Sequence, residues 1–428
     1  MKNNGFVVNN VPVLWSHIEE LYRFDTKNSV RLVPKLTDKH IYLPPFSALR
    51  VRFATQVLSH SVAAGLSVLI QLHVLPEVAN ETASFVEEFD KLFNSFNSKN
   101  LKSKQPMGHA LSERSGHRQF LLETLQWLET VQPNSPRSLP CLSGWKMAIR
   151  SLLSLWQDLH NDHAFSYLLT DKLNQDCLEN LFLRIRGNAG HVDNPSAQQL
   201  RTILRQVMVD QIFIHSEGSN CAEDAGKFLL NLKALQTAGK QLIPPPYQEA
   251  TCQPGPSHDT SLHSDATFLS PMNDLAEKNV LTYISGFIAR KMLPNLCGSC
   301  TEKMTGLYTG SNNEIFLLRK EYHDTEEGGL TVPGADLVHA VETLETVYKK
   351  NIGGVLHANT VKSRLTSLLE RELDATALEC PQKMCELKTS IISSYLTVRM
   401  NSTLKQCTAA FSQKRLKRNR KVMKLCYQ

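Results

Sequence analysis

The chain has 428 residues, of which 42% are hydrophobic and 21% charged, with a formal net charge of +6 at pH 7. That balance excludes a disordered or collagen-like polymer and is enough for two or three domains with sizeable cores. The first residues lack an apolar run, so no secretory leader is expected, and the ten cysteines are scattered, which reads as reduced thiols rather than a disulfide framework.

Residues 1–140 read as helical. Val13, Leu14, Ile18 and Leu21 fall at helical spacing, followed by Phe53, Val57, Leu58 and Val62, and then by Phe85, Phe89, Leu92 and Phe93. The apolar stretch from Val57 to Leu75 is interrupted by His60, Gln71 and His73. A buried helix is therefore expected there, and no membrane partner. Residues 99–118 are polar and basic and read as a loop; Pro133, Pro136 and Pro140 close the region. The pattern then predicts a helix near 143–160, a short strand at 165–170 (FSYLLT), a helix over 174–186, a turn at 187–195 and a helix over 196–213. Trp145 and Trp156 share helical spacing with Ile149, Leu152 and Leu153 and read as core, as do Trp15 and Trp127. Residues 241–273 are rich in Pro, Ser, His and Asp and read as a linker, and 274–428 as a separate helical unit. The expected fold class is mainly α.

The run LNQDCLENLF (173–182) carries the chemistry. It sets Asp176 and Glu179 three residues apart, so both fall on one helix face behind the short apolar segment. Hard divalent cations such as Mg²⁺ take carboxylate oxygens, and paired cations activate an attacking oxygen and stabilise a leaving one. Phosphate-cradling motifs are missing: Gly226 with Lys227 and Gly239 with Lys240 lack the earlier glycine of a GxxxxGK loop.

Longer strings carry a resemblance. VPVLWSHIEELY (11–22), RLVPKLTDKHIY (31–42), RVRFATQVLSHSVAAGL (50–66), TASFVEEFDKLFNSFNS (82–98), LSGWKMAIRSLL (142–153), LNQDCLENLFLRIRGNAGHVDNP (173–195) and YISGFIARK (283–291) together resemble the P element transposase family, the THAP-domain transposases of animals. The resemblance implies a GTP-binding-insertion-like helical domain over 1–140 and a small α/β remnant of an RNase H-like core over 141–240. The linker 241–273 and a C-terminal helical region over 274–428 follow. It further implies that Glu179 is the last catalytic carboxylate and a Mg²⁺ ligand. GTP would be held by Lys35, Val51, Ser59, Asn94 and Asp176. Relatives often show LFD where this chain has Leu92, Phe93 and Asn94; an Asn accepts from a guanine edge only through its carbonyl. Against that family pattern, the N-terminal THAP domain and the first two catalytic aspartates have no counterpart in the chain. The expectation is therefore a transposase-derived protein inactive alone, and the alternative a domesticated nuclear scaffold that contacts DNA or protein without catalysis or nucleotide.

Two further features stand outside that pattern. Cys297 and Cys300 have CxxC spacing, Cys380 and Cys385 form a looser pair, and His323 and His357 are other candidate ligands; zinc needs four such donors. Residues 414–424 hold Lys414, Arg415, Lys417, Arg418, Arg420, Lys421 and Lys424 without an acidic residue. Such a tail is suited to weak, nonspecific DNA contact or to a nuclear address. Self-association, or assembly with a full-length transposase, completes the expected partners.

Overall fold

The structure, a computed structural model, describes residues 5–43, 50–134, 139–188, 196–210, 271–321, 329–355, 360–373, 380 and 386–404. The linker up to residue 270, the turn at 189–195, the glycine–lysine pairs at 226–227 and 239–240, and the basic tail lie outside them.

The fold is mainly α. Two strands, β1 (Phe6–Val8) and β2 (Val11–Val13), form a hairpin, and β3 (Val131–Pro133) adds to the other edge of β1 to give a three-stranded antiparallel sheet of order β2-β1-β3. Helices α1 (Trp15–Asp25), α2 (Asp38–Ile41), α3 (Val51–Val57), α4 (His60–Gln71), α5 (Ala79–Ser95), α6 (His117–Thr130) and α7 (Pro140–His163) follow. Next come α8 (Asp176–Asn188) and α9 (Ala197–Asp210). The C-terminal part holds α10 (Pro271–Met292), α11 (Gly298–Met304), α12 (Ile315–Lys320), α13 (Ala335–Val355), α14 (Val361–Glu372) and a last helix over 387–404.

The spacing predicts most of these helices, with three corrections. Val13 belongs to β2, so α1 starts at Trp15. The apolar run from 51 to 71 is long and apolar enough to cross a membrane by composition, yet Leu58 and Ser59 split it into α3 and α4. In α4, Val62, Leu66, Val68 and Leu69 are fully buried in the core. Apolar side chains all round, not a lipid face, account for the pattern.

The strand at 165–170 does not form. Ala164 takes a left-handed conformation (φ 53°), and the Phe165 N–H returns to the Leu159 carbonyl at 3.1 Å, closing α7. Only Leu168 pairs, by an isolated antiparallel bridge to Leu111. Thr170 is held by side chains: its hydroxyl donates to the Ser95 carbonyl at 2.7 Å and accepts the Ser98 N–H at 3.0 Å. These partners lie 72 to 75 residues away, where no local pattern reveals them.

Two compact units emerge. The first comprises Met1–Ser47, Phe53–Thr170 and Leu269–Gln428; the second comprises Ala48–Arg52 and Asp171–Phe268. In the second, α8 and α9 pack through Ile185 and Ile203, with Leu181, Leu200 and Leu204 around them. In the first, one core joins Ile18, Leu21, Leu66 and Leu69 to Ile288, Phe316, Leu344, Tyr348, Ile391 and Tyr395. Residues after 274 thus share this core with α1 and α4. A second cluster of the same unit holds the sheet residues Phe6, Val8 and Val13 with Phe85, Leu92, Leu128, Ile149 and Trp156. Trp127 and Trp145 pack on it and Trp15 on the first, in line with their reading as core.

Polar groups inside the first unit also connect its distant segments. Glu345 accepts from Arg399 Nε at 2.6 Å and Nη2 at 2.8 Å, from the Tyr395 hydroxyl at 2.6 Å and from Ser29 Oγ at 3.1 Å. Glu277 accepts the Ser29 N–H at 2.5 Å and pairs with Lys349. A two-pronged guanidinium–carboxylate pair satisfies the lone pairs that burial would otherwise leave bare.

Candidate nucleotide and carboxylate sites

The acidic pair opens α8. The Asn174 Oδ1 accepts the Asp176 N–H at 3.0 Å, which covers one of the orphan donors at the helix start. Asp176 is half-buried and Glu179 exposed, one turn apart. Leu178 and Phe182 of the same helix are also exposed, at 54% and 50%. Among the described residues no group of three metal-capable side chains includes Glu179; the one such group is made of cysteines. Among the described residues, no further carboxylate joins Glu179 in such a group.

The nucleotide candidates divide between the units. Val51, at the exposed start of α3, belongs with Asp176 to the second unit, and Lys35, Ser59 and Asn94 to the first. In the first, the start of α4 meets the end of α5. Ser59 occupies the cap of α4, with its hydroxyl donating to the Gln56 carbonyl at 3.0 Å. The His60 ring approaches Glu87 of α5 at 3.6 Å, and a hydrogen bond to His60 lowers the Glu87 pKa. Asp90 accepts the Asn94 amide at 3.1 Å and a backbone hydrogen bond from His60; burial raises its pKa. Ser59 and Asn94 thus lie at one end of the α4–α5 pair.

Lys35 is exposed in the turn before α2. Its charge reaches Lys320 at the end of α12. Burial first, and Lys35 second, push the Lys320 pKa down from 10.5 to about 8. Lys320 Nζ sits 4.6 Å from the centroid of Tyr283 and 5.1 Å from that of Phe316, two aromatic faces that hold the cation in place. Arg319, beside it, acts on Glu87 at the α4–α5 end. Sequence reasoning missed Arg319 and Lys320. Their one local signal is a basic pair closing the apolar turn IFLLRK, which by itself reads as helix-end charge.

A cavity of about 630 Å³ lies elsewhere in this unit, lined among others by Glu81, Glu88, Glu123 and Lys91. Burial raises the pKa of Glu81 and Glu88. Three carboxylates against one lysine give the wrong sign for a triphosphate, and neither Lys35, Ser59 nor Asn94 borders it.

The cysteines converge. The sulfurs of Cys297, Cys300 and Cys380 all lie within 4.8 Å of one another, while Cys385, His323 and His357 lie outside the described residues.

Known protein families match the two ends of the chain. Residues 1–109 match the TNP-like GTP-binding insertion domain, and residues 270–411 the C-terminal domain of DNA transposase THAP9. The Transposable element P transposase of Drosophila melanogaster is 23% identical over 380 residues, covering 87% of this chain and 47% of that protein. DNA transposase THAP9 of Homo sapiens is 25% identical over 359 residues, covering 78% of this chain and 38% of that protein. A solved structure, the Drosophila P element transposase strand transfer complex, is 25% identical with a TM-score of 0.43, over 48% of this chain and 47% of that one. The chain spans about half or less of the length of these curated relatives. With one matched domain at each end and related sequence running between them, the chain resembles the P element transposase family over most of its length.

Proposed function

We propose that this chain supplies the guanine-nucleotide-binding insertion and the C-terminal part of a P element-type DNA transposase, and that residues 1–428 by themselves do not join DNA. The observation that supports the nucleotide half is the proximity of Lys35, inside the segment matched to a GTP-binding insertion domain, to Lys320 of α12, whose pKa is pushed down by burial first and by Lys35 second. An anion between them relieves that repulsion, and a nucleotide phosphate has the charge to do so. Ser59 offers a hydroxyl and Asn94 an amide at the neighbouring helix ends. Guanine reading through Asn94 is weaker than through an aspartate, because one acceptor replaces two. Asp176 and Val51 complete the nucleotide set by resemblance.

The catalytic half rests on Glu179 as the last carboxylate of an RNase H-like core. A single exposed carboxylate with one neighbour falls short of the converging set that a pair of Mg²⁺ ions requires, and residues that act as a unit fail together. DNA contact through Lys414 to Lys424, residence in the nucleus, and assembly with itself or with a complete transposase belong to the same reading. The scaffold alternative is supported by the exposed Leu178 and Phe182 beside Glu179, an apolar face better suited to a protein partner than to a metal site.

Calorimetry on the full chain separates the two. GTP is expected to bind in the micromolar range. Lys35→Ala and Lys320→Ala are each expected to weaken it about tenfold, or roughly 1.4 kcal/mol, and Asn94→Asp to favour GTP over ATP. Absence of GTP binding, or binding indifferent to Lys35, leaves the scaffold reading. Strand transfer by residues 1–428 with Mg²⁺ that Glu179→Gln abolishes overturns the inactive half. For the tail, a chain ending at Ser412 is expected to lose nuclear enrichment and low-salt DNA retention.

A further inference from the structure

We infer that Cys297, Cys300 and Cys380 form a structural zinc site within the C-terminal part of the first unit, independent of any transposase activity. The three belong to two segments: Cys297 immediately precedes α11 and Cys300 lies within it, whereas Cys380 lies between α14 and the helix over 387–404. Cys300 is fully buried, Cys380 is 8% exposed and Cys297 half-buried, all within or against the large core.

The geometry separates a metal site from chance packing of small apolar thiols. In tetrahedral zinc with Zn–S bonds of about 2.3 Å, neighbouring sulfurs stand about 3.8 Å apart. Cys297 Sγ and Cys380 Sγ, 83 residues apart in the chain, stand 3.8 Å apart. The third sulfur lies within 4.8 Å of both. A disulfide between the first pair requires closure to about 2.05 Å and leaves the third thiol unused. A soft cation uses all three at the spacing already present. On binding, each thiol releases its proton to solvent and its sulfur lone pair forms a Zn–S bond. No electron changes hands, and the fourth corner is left to water or another donor. The site staples the approach to the last helix onto α11.

Elemental analysis of the full chain, expressed with zinc in the medium and purified under reducing conditions, tests this. One zinc per chain is expected, lost in Cys297→Ser and in Cys380→Ser, and kept in Cys141→Ser, whose cysteine is exposed and outside the group. Because serine at a buried position can unfold the chain, Co²⁺ replacement in the unmutated protein gives a second reading. Thiolate-to-cobalt charge-transfer bands with strong tetrahedral visible absorption are expected, together with proton release on binding. A chain free of zinc that gives no such bands overturns the inference. So does a mass lower by two hydrogens that maps to a Cys297–Cys380 disulfide.

Discussion

His117 sits at the start of α6, fully buried, with Nδ1 2.8 Å from Ser115 Oγ and Nε2 3.1 Å from the Met107 carbonyl. Gly116 before it adopts φ +72°, a left-handed turn that a side chain disfavours, and this turn brings the ring inward. Burial pushes the His117 pKa from 6.5 down to about 4, with the nearby His109 adding to it. The unfolded chain accepts a proton between those values and the folded chain does not. The stabilisation is therefore complete above about pH 6.5 and lost as the pH falls toward 4, about 3 kcal/mol in all. Urea midpoints near pH 7 and near pH 4.5 are expected to fall more for the unmutated chain than for His117→Gln; equal falls refute it. At this scale the sequence announces donor types but not their surroundings. Lys35 and Asn94 stand out through the resemblance, whereas Lys320 owes its depressed pKa to burial first and to Lys35 second, and both Lys35 and the Tyr283 ring over it come from distant parts of the chain.

Among the elements, α10 shows how a motif legible as a word acquires a physical reason. YISGFIARK includes Gly286, and a Cβ built there comes within 2.3 Å of the Thr331 carbonyl oxygen. The 331–334 segment is held in place by Gly306 N–H to Val332 at 3.0 Å and Gly334 N–H to Met304 at 2.9 Å, so it cannot retreat cheaply. Alanine in an open helix position stabilises by about 1 kcal/mol over glycine. Gly286→Ala is expected to do the reverse, costing about 1–3 kcal/mol through overpacking. Gly353→Ala in α13, with nothing within 4 Å, is the control and is expected to be neutral or stabilising. Thermal melts of the pair decide it; a Gly286→Ala variant as stable as Gly353→Ala removes the contact as the reason for the glycine. Helical periodicity revealed α5, α7, α8 and α9, because each carries its own apolar stripe. It failed at 165–170, where an apolar run is held by Ser95, Ser98 and Leu111 rather than by a ladder.

At the scale of the whole molecule, the packing of 271–404 onto α1 and α4 is the feature least legible in the chain. Nothing local to Ile18 or Leu69 points to Ile391 or Tyr395, yet they share one core and the Ser29–Glu345–Arg399 network. A chain ending after Asp210 removes roughly half of that core and leaves Leu21, Leu66 and Leu69 uncovered. Such a fragment is expected to bind a hydrophobic dye and melt without a sharp transition. The full chain is expected to lose its first-unit structure in one step. Cooperative melting of the fragment, seen by circular dichroism, refutes the shared core as a necessity.

That core also bears on how the protein is made. A ribosome delivers α1 and α4 long before Ile391 and Tyr395 exist, so the first helices emerge with their inner faces bare and must wait for the last ones. This unit closes only after its last helix has emerged, and the interval of waiting, set by the intervening segment, is when chaperone binding and aggregation compete with folding.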